Sequence, residues 1–316
     1  MIPRYVSGFA DDIKAMMEWR NTLGYKKESY SYCLKDFDRF CSQKYPEAAV
    51  LTWDIAIGFL EDVRKRRDNR CDVVALRNLG KYQIMLGKEA CIFPAGFYSH
   101  KRRKIPYIMS DDDVARFFSA CDQWPHMRNN PLLEYTVPVI FRLLYATGMR
   151  PQEARLLKRE DVNTRKGTIY IADSKKHKDR LIAINDNVAG MCEKYNVIST
   201  AIYTDTEWFF PNRNKNPHRA ASLQHCFHKC WEAAGNPAGL EYCTPYILRH
   251  NYATRMLTCW MAEGKDIDAL IPYLSAYMGH ETFRDTYYYI HLLPGRIAGM
   301  GCMDISDVVG EVDYEG

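Results

Sequence analysis

The stretch ATGMRPQE, residues 146–153, connects two predicted helices and determines how the second half of the chain is interpreted. The apolar run Leu132–Tyr145 predicts a helix before it, which Thr147-Gly148 ends, and Pro151 suits the first turn of the next helix. Arg150 therefore stands at a turn between two helices. Because backbone N–H groups at the start of a helix attract negative charge, this turn and its arginine predict an anion-binding position.

Three other segments of the second half place polar side chains at the ends of predicted elements. The runs Thr168–Ala172 and Arg180–Ile184 predict a β-hairpin around a lysine-rich loop. The segment TPYILRH, residues 244–250, begins a predicted helix, and MGH, residues 278–280, ends another one before three successive tyrosines. Taken singly, each segment is also typical of ordinary surface or packing residues. The helices expected in this region span residues of about 219–234, 246–263 and 266–277.

Read in order, these segments resemble the tyrosine recombinase (phage-type integrase) family. The shared pattern is an Arg-x-x-Glu turn, a lysine hairpin, an aromatic-x-x-Arg-His segment, a Gly-His pair and a tyrosine nine residues later. The resemblance covers residues of about 105–291 and extends more weakly over residues 1–104. It implies a mainly α fold with a small β-hairpin or sheet, in which a helical core-binding domain precedes a mixed α/β catalytic domain.

The resemblance implies a role for each matching residue of the first two segments. Arg150 corresponds to the first catalytic arginine, and Glu153 to the acid that supports the site. The family's catalytic lysine precedes a Lys-acid-Arg segment of the hairpin, and the same order here favours Lys175. Lys176 and Lys178 are the alternatives within the same hairpin.

The later segments supply the remaining matches. Arg249 corresponds to the second catalytic arginine, His280 to the later His or Trp, and Tyr289 to the nucleophile. Tyr287 and Tyr288 fall out of register with the family's spacing, so we expect them to be packing residues. A tyrosine nucleophile conserves the energy of the broken bond in its phosphate ester, so the step can be reversed.

One position departs from the family's pattern. The family's His-x-x-Arg begins here with Tyr246, whose phenol has a reference pKa of about 10 against roughly 6.5 for imidazole. Tyr246 is therefore expected to contact the phosphate or the nucleophile, while its role as a base is open. The phosphate, water or His280 could take the proton instead. His250 follows Arg249 directly, and its family counterpart is more often structural.

Basic residues are concentrated in the first 104 residues, which hold 20 Lys and Arg against 13 Asp and Glu. The remainder of the chain holds 23 against 26, and five of those acids lie in the last 16 residues. Such a distribution favours a polyanionic partner for the first part of the chain. Two runs are the predicted DNA-binding residues: Arg64, Lys65, Arg66 and Arg67, and then Lys101, Arg102, Arg103 and Lys104.

The expected organisation has four parts. Residues 1–93 form a helical DNA-clamping domain, 94–106 a basic linker, 107–291 the catalytic domain, and 292–316 a tail that docks on a neighbouring subunit or is disordered. The resemblance further implies that double-stranded DNA is the partner, that a tetramer acts on two duplexes, and that accessory DNA-bending proteins could assist.

Composition indicates a cytoplasmic protein without a membrane span, because no run of 18 apolar residues or signal peptide is apparent. No metal or nucleotide cofactor is expected, since there is no phosphate-binding glycine loop and no compact acid cluster. The 11 scattered cysteines favour reduced thiols, and the cluster His225–Cys230 is interpreted as ordinary helix residues rather than a metal site.

The alternative functions are a topoisomerase-like nicking and resealing enzyme and a DNA-binding relative with impaired catalysis.

Overall fold

Helices make up most of the described backbone, and a small antiparallel sheet accompanies them, which confirms the predicted fold class. The computed structural model describes residues 5–25, 30–94, 96–97, 106–174, 178–239, 243–280 and 282–290. The chain divides into two compact units, residues 1–103 and 104–316. This division falls within the predicted linker, whose four adjacent cations, residues 101–104, lie outside the described residues together with the predicted tail.

The described part of the first unit contains helices α1 (Ala10–Thr22), α2 (Ser31–Lys44), α3 (Trp53–Arg64) and α4 (Arg70–Met85). Phe37 of α2 lies at the centre of their core. Its ring packs edge-on against Phe9 and Phe59, with centroids 5.1 and 5.3 Å away. Helix α3 begins after Thr52, whose hydroxyl accepts a hydrogen bond from the backbone N–H of Ile55.

The basic run at the end of α3 divides into exposed and paired residues. Arg64 and Lys65 are exposed. The guanidinium of Arg67 instead donates to the buried carboxylates of Asp72, at 2.5 Å, and Asp36, at 3.0 Å. Arg67 was predicted to bind DNA together with its neighbours. These contacts give it a structural role, since two buried carboxylates need its charge.

The described elements of the second unit are more numerous. Its helices are α5 (Asp111–Asp122), α6 (Leu133–Thr147), α7 (Pro151–Arg155), α8 (Asp186–Ile202), α9 (Ala220–Ala233), α10 (Tyr246–Ala262), α11 (Ile267–Met278) and α12 (Phe283–Ile290). Its strands are β1 (Val162–Asn163), β2 (Thr168–Ser174) and β3 (Lys178–Ala183). Among the helices that the structure describes, none has the length and apolarity that crossing a membrane requires.

The three strands form an antiparallel sheet in the order β1-β2-β3. Strands β2 and β3 pair from Thr168 opposite Ala183 to Ser174 opposite Lys178, with a register shift between Ile171 and Ser174. Both strands run two residues further toward the tip than predicted, because backbone pairing continues after the apolar alternation has ended. Residues 175–177, which include the predicted catalytic lysine, lie outside the described residues.

The sequence analysis gave no bounds for two helices. Helix α8 carries buried residues at helical spacing, including Val188, Cys192 and Tyr195, and the side chain of Asn185 caps its start. Its β-branched residues and internal glycine lower its helix propensity. Helix α12 is only eight residues long and rich in tyrosine, a residue that favours strands.

Helix α6 organises the second unit. Nearly all of its residues are buried, because α5, α8 and α10 pack around it. It ends as predicted at Gly148, which adopts a left-handed conformation with φ of 61°. Cys226 and Cys230 of α9 belong to the same core. No group of three or more metal-ligating side chains occurs among the described residues.

Replacing Arg67 tests its structural role. Arg67→Ala should lower the free energy of unfolding by about 3 kcal/mol, because it leaves the Asp72 carboxylate buried without its partner. The measurement is urea unfolding at neutral pH. Arg64→Ala is the matched control and should change stability by less than about 0.5 kcal/mol, since Arg64 is exposed. Equal stability of the two variants would contradict the structural role.

Candidate active site

Three arginines meet at the carboxyl end of α11. The backbone carbonyls of residues 277–279 each accept a hydrogen bond from a different guanidinium. Arg180 of β3 donates to the first at 2.8 Å, Arg249 of α10 to the second at 2.9 Å, and Arg150 to the third. The last carbonyls of a helix have no partner within it and carry partial negative charge, so they favour cations.

Glu153 joins two of these arginines. Its carboxylate accepts hydrogen bonds from Arg180 at 2.6 and 2.9 Å, from the guanidinium of Arg150 at 2.8 Å, and from the backbone N–H of Arg150 at 2.7 Å. Burial opposes ionisation of this carboxyl, but the hydrogen bonds and charges of Arg180 and Arg150 hold the pKa of Glu153 below its ordinary value. The predicted supporting acid therefore fixes the orientation of Arg150.

Arg249 connects the ends of two helices. Besides its bond to α11, it donates to the carbonyl of Gly148 at the end of α6, at 2.6 Å. A side chain at Gly148 would meet the ring of Tyr252 at 2.4 Å, so only glycine suits this left-handed position. Arg249 is 4% exposed, and burial, followed by the nearby charge of Arg150, lowers its pKa to about 10.

Tyr289 lies on α12 and is only 4% exposed. Its hydroxyl is 2.9 Å from Nδ1 of His250, the residue that follows Arg249 on α10. Burial raises the pKa of Tyr289 to about 12, although the charge of Arg249 acts in the opposite direction. The two neighbouring tyrosines differ in position, since Tyr287 is exposed and donates to Asp268, and Tyr288 packs edge-on against Tyr289.

His280 supports the other side of Tyr289. The two rings stack with centroids 6.1 Å apart and an interplanar angle of 15°. Nδ1 of His280 lies 2.7 Å from the hydroxyl of Thr286, a buried residue of α12. Burial, followed by the charge of Arg249, lowers the pKa of His280 to about 3, so the ring is neutral at neutral pH.

For Tyr246 the sequence left two contacts open, with the phosphate or with the nucleophile. This residue is the first of α10 and is 45% exposed. The hydrogen bond to Tyr289 comes from His250 instead. Burial and the adjacent Arg249 lower the pKa of His250 to about 4. The sequence analysis had interpreted this histidine as structural, because nothing in the 39-residue separation indicated its contact with the tyrosine.

The structure thus brings together five of the predicted site residues: Arg150, Glu153, Arg249, His280 and Tyr289. Lys175 and Lys176 lie outside the described residues, as does the side chain of Lys178. Sequence reasoning missed Arg180 and His250 as members of the site. The sequence did contain a signal for Arg180. It follows a hairpin lysine by two residues, and positions i and i+2 of a β-strand lie on the same face of the sheet.

A charge-removing substitution at Glu153 tests the arginine network. Glu153→Gln should lower the free energy of unfolding by about 3 kcal/mol at pH 7, because two partly buried guanidiniums lose the buried carboxylate that pairs with them. The folded-state pKa of Glu153 is depressed, so its contribution is present above the unfolded value and is lost as the pH falls through the folded value. The deficit should therefore shrink in acid unfolding measurements below about pH 4.

Glu160→Gln is the control for that experiment. Glu160 is 77% exposed, and its replacement should leave stability unchanged within about 0.5 kcal/mol at either pH. The result would contradict a buried negative charge on Glu153 if Glu153→Gln lost the same free energy of unfolding in acid as at neutral pH.

Comparison with known proteins agrees with this geometry. Residues 108–296 match the phage integrase family. The putative integrase/recombinase y4rE of Sinorhizobium fredii is 25% identical over 293 residues, which are 89% of this chain and 90% of that protein. The tyrosine recombinase XerD of Oceanobacillus iheyensis is 29% identical over 205 residues, which are 63% of this chain and 62% of that protein.

Solved structures show the same fold. The XerH site-specific recombinase, in a post-cleavage complex with its palindromic difH substrate, superposes with a TM-score of 0.65 and 19% identity, covering 90% of this chain and 81% of its own. The Tn1549 transposon integrase bound to transposon right end DNA gives a TM-score of 0.64 and 14% identity, covering 88% and 94%. The family match spans more than half of the chain and includes all five converging residues, so the chain belongs to the phage integrase family, the tyrosine recombinases.

Proposed function

We propose that this protein is a site-specific DNA recombinase or integrase that cleaves and rejoins double-stranded DNA through a covalent 3′-phosphotyrosine link. One observation carries the proposal. Arg150 and Arg249 donate to adjacent carbonyls at the end of α11, and the hydroxyl of Tyr289 contacts His250, the residue that follows Arg249. DNA is present in the XerH and Tn1549 integrase structures, which supports duplex DNA as the partner.

The arginines suit the charge of the reaction. Attack on a phosphodiester adds negative charge to the non-bridging oxygens, and a guanidinium offers paired donors in a fixed plane. Arg249 is buried beside the positive charge of Arg150, which depresses its pKa. A bound phosphate would offset this repulsion, so the site gains more from an anion than a solvated arginine pair would.

In the proposed step, the hydroxyl oxygen of Tyr289 attacks the phosphorus and gives up its proton to a neighbouring base. A bond from that oxygen to phosphorus forms, and the bond from phosphorus to the 5′-oxygen breaks. The leaving oxygen takes a proton from the hairpin lysine, Lys175, with Lys176 and Lys178 as alternatives. The 5′-hydroxyl of another strand then reverses the step. The reaction as written uses side chains of the chain alone and requires neither a metal ion nor a nucleotide.

The rest of the chain supplies DNA binding in this proposal. The helical domain of residues 1–93 and the catalytic domain of residues 107–291 clamp the duplex, and the basic linker of residues 94–106 lies along its phosphates. Arg64, Lys65 and Arg66 contribute further contacts. Four subunits act on two duplexes, and the tail of residues 292–316 docks on a neighbouring subunit. Accessory DNA-bending proteins would assist such an assembly.

Covalent trapping tests the nucleophile. A duplex that binds the protein is first selected from a pool of randomised sequences with Tyr289→Phe. The cleavage position in this duplex is mapped with the wild-type chain. The duplex is then nicked beside that position, so that the fragment released by cleavage diffuses away. The wild-type chain should form an adduct that survives denaturation, with mass spectrometry locating it on Tyr289. Tyr289→Phe should bind the duplex equally well and form none, because it lacks the attacking oxygen.

Two matched controls accompany this experiment. Tyr287→Phe and Tyr288→Phe remove neighbouring hydroxyl groups and should keep adduct formation. An adduct in Tyr289→Phe would show that the nucleophile is elsewhere. A wild-type chain that binds DNA and never forms an adduct would favour the non-catalytic alternative. Relaxation of a supercoiled plasmid without strand exchange would favour the topoisomerase-like one.

Salt dependence tests the linker. Replacing Arg102 and Arg103 by glutamine should reduce the slope of log affinity against log salt by about 2, because two fewer counterion-releasing contacts form. The measurement is duplex binding at several salt concentrations. Lys158→Gln is the control and should keep the slope, since Lys158 already pairs with Glu207 at 2.8 Å. An unchanged slope in the double variant would remove the linker from the DNA interface.

A further inference from the structure

The described residues place one nitrogen base in contact with the hydroxyl of Tyr289. Nδ1 of His250 lies 2.9 Å from that oxygen, within the range that proton transfer requires. The two rings are tilted by 48° with centroids 5.6 Å apart, so the contact is a hydrogen bond rather than a stack. A neutral imidazole that accepts at Nδ1 carries its own proton on Nε2.

The two other candidates for the proton acceptor are placed differently. Nδ1 of His280 is engaged by the hydroxyl of Thr286 at 2.7 Å, and its ring lies parallel to that of Tyr289. Nδ1 of His280 is therefore paired within its own segment, whereas Nδ1 of His250 contacts the Tyr289 hydroxyl directly. Tyr246 is the first residue of α10 and is 45% exposed.

The charges around His250 keep it able to accept a proton. On α10 its neighbour is Arg249, and across from it stands Tyr289 of α12, whose ring also lies parallel to the neutral ring of His280. Burial, followed by the charge of Arg249, lowers the pKa of His250 to about 4, so the ring is unprotonated at neutral pH. A phosphate bound by Arg249 would offset that positive charge and make the imidazole a stronger base when substrate is present.

Groups that face Tyr289 itself complete the charge environment. Arg249 and Arg150 favour its ionised form, and Asp285, on the same helix, opposes it. Burial raises the pKa of Tyr289 to about 12, so the phenol does not lose its proton to water at neutral pH. A positioned acceptor is therefore required for rapid attack.

We propose that His250 is the catalytic base that removes the phenolic proton of Tyr289 during DNA cleavage, replacing the histidine whose position Tyr246 occupies. This inference rests on the proposed function. As the bond from the Tyr289 oxygen to phosphorus forms, the phenolic proton passes to Nδ1 of His250. The bond to the 5′-oxygen breaks, and the hairpin lysine protonates that oxygen. When a 5′-hydroxyl later attacks, His250 returns its proton to the departing Tyr289.

The test compares single-turnover adduct formation on the nicked duplex between pH 6 and pH 9. His250→Ala removes both the hydrogen bond and the base. His250→Asn keeps a carbonyl oxygen near the position of Nδ1, so it can accept the hydrogen bond but cannot take the proton. Tyr287→Phe is the matched control, since it removes an exposed hydroxyl that donates to Asp268 outside the site. Duplex affinity and thermal midpoint are measured for every variant to verify folding.

Both His250 variants should cleave about 10²-fold more slowly than wild type at pH 7. Their rates should rise steeply with pH, because hydroxide then replaces the missing base, whereas the wild-type rate should be nearly flat. Tyr287→Phe should stay within about threefold of wild type. A His250→Asn rate within about threefold of wild type would overturn the proposal and leave His250 as a positioning residue. Slow variants with the wild-type pH profile would overturn it as well.

A second measurement needs neither DNA nor a His250 variant. Nitrogen NMR of the wild-type chain should show Nδ1 of His250 as a hydrogen-bond acceptor, and Tyr289→Phe should shift that resonance. An unchanged resonance would overturn the contact on which the inference rests. Failure of the proposed function would give a different result from failure of this inference. It would appear as an adduct formed by Tyr289→Phe, or as no adduct formed by the wild-type chain. Failure of this inference leaves the Tyr289 adduct in place.

Discussion

The site depends on the carboxyl end of α11, where three successive carbonyls, residues 277–279, each hold a different arginine. Three guanidiniums in one buried place repel one another, and two features offset that repulsion. The helix end supplies partial negative charge, and Glu153 supplies a full one between Arg150 and Arg180. Two positive charges remain in excess of that carboxylate. In the proposed function, these arginines are therefore already positioned before any phosphate arrives, which is the condition for electrostatic stabilisation without reorganisation.

The same charge excess links substrate binding to the nucleophile. Arg249 acts on the groups around it, lowering the pKa of His250 and of His280 while favouring ionised Tyr289. Before DNA binds, the histidines are neutral and the tyrosine is buried and protonated. A phosphate bound between Arg150 and Arg249 would offset their charge and so change the pKa values of His250, His280 and Tyr289 together. In this account the phosphate is both the substrate and the charge that makes His250 a stronger base.

Sequence reasoning succeeded where order and spacing along the chain carry the information. The residues Arg150, Arg249 and Tyr289 were identified by their separations, and Gly148 by its place after an apolar run. It failed for His250, because contact with Tyr289 depends on how α10 and α12 pack and leaves no local pattern. It also assigned the basic run after α3 to DNA as a whole, although Arg67 turns inward to buried carboxylates. Composition shows charge, but only the fold shows which charges are already paired.

A structure with vanadate in place of the reacting phosphate would test the central claim most directly. The protein would be crystallised with the selected duplex, cut at the cleavage position, so that vanadate fills the gap. The account predicts a vanadium atom bonded to the oxygen of Tyr289, with Arg150 and Arg249 on its non-bridging oxygens and Nδ1 of His250 still facing that tyrosine. Vanadium bonded to another side chain, or the two arginines turned away from it, would contradict the account.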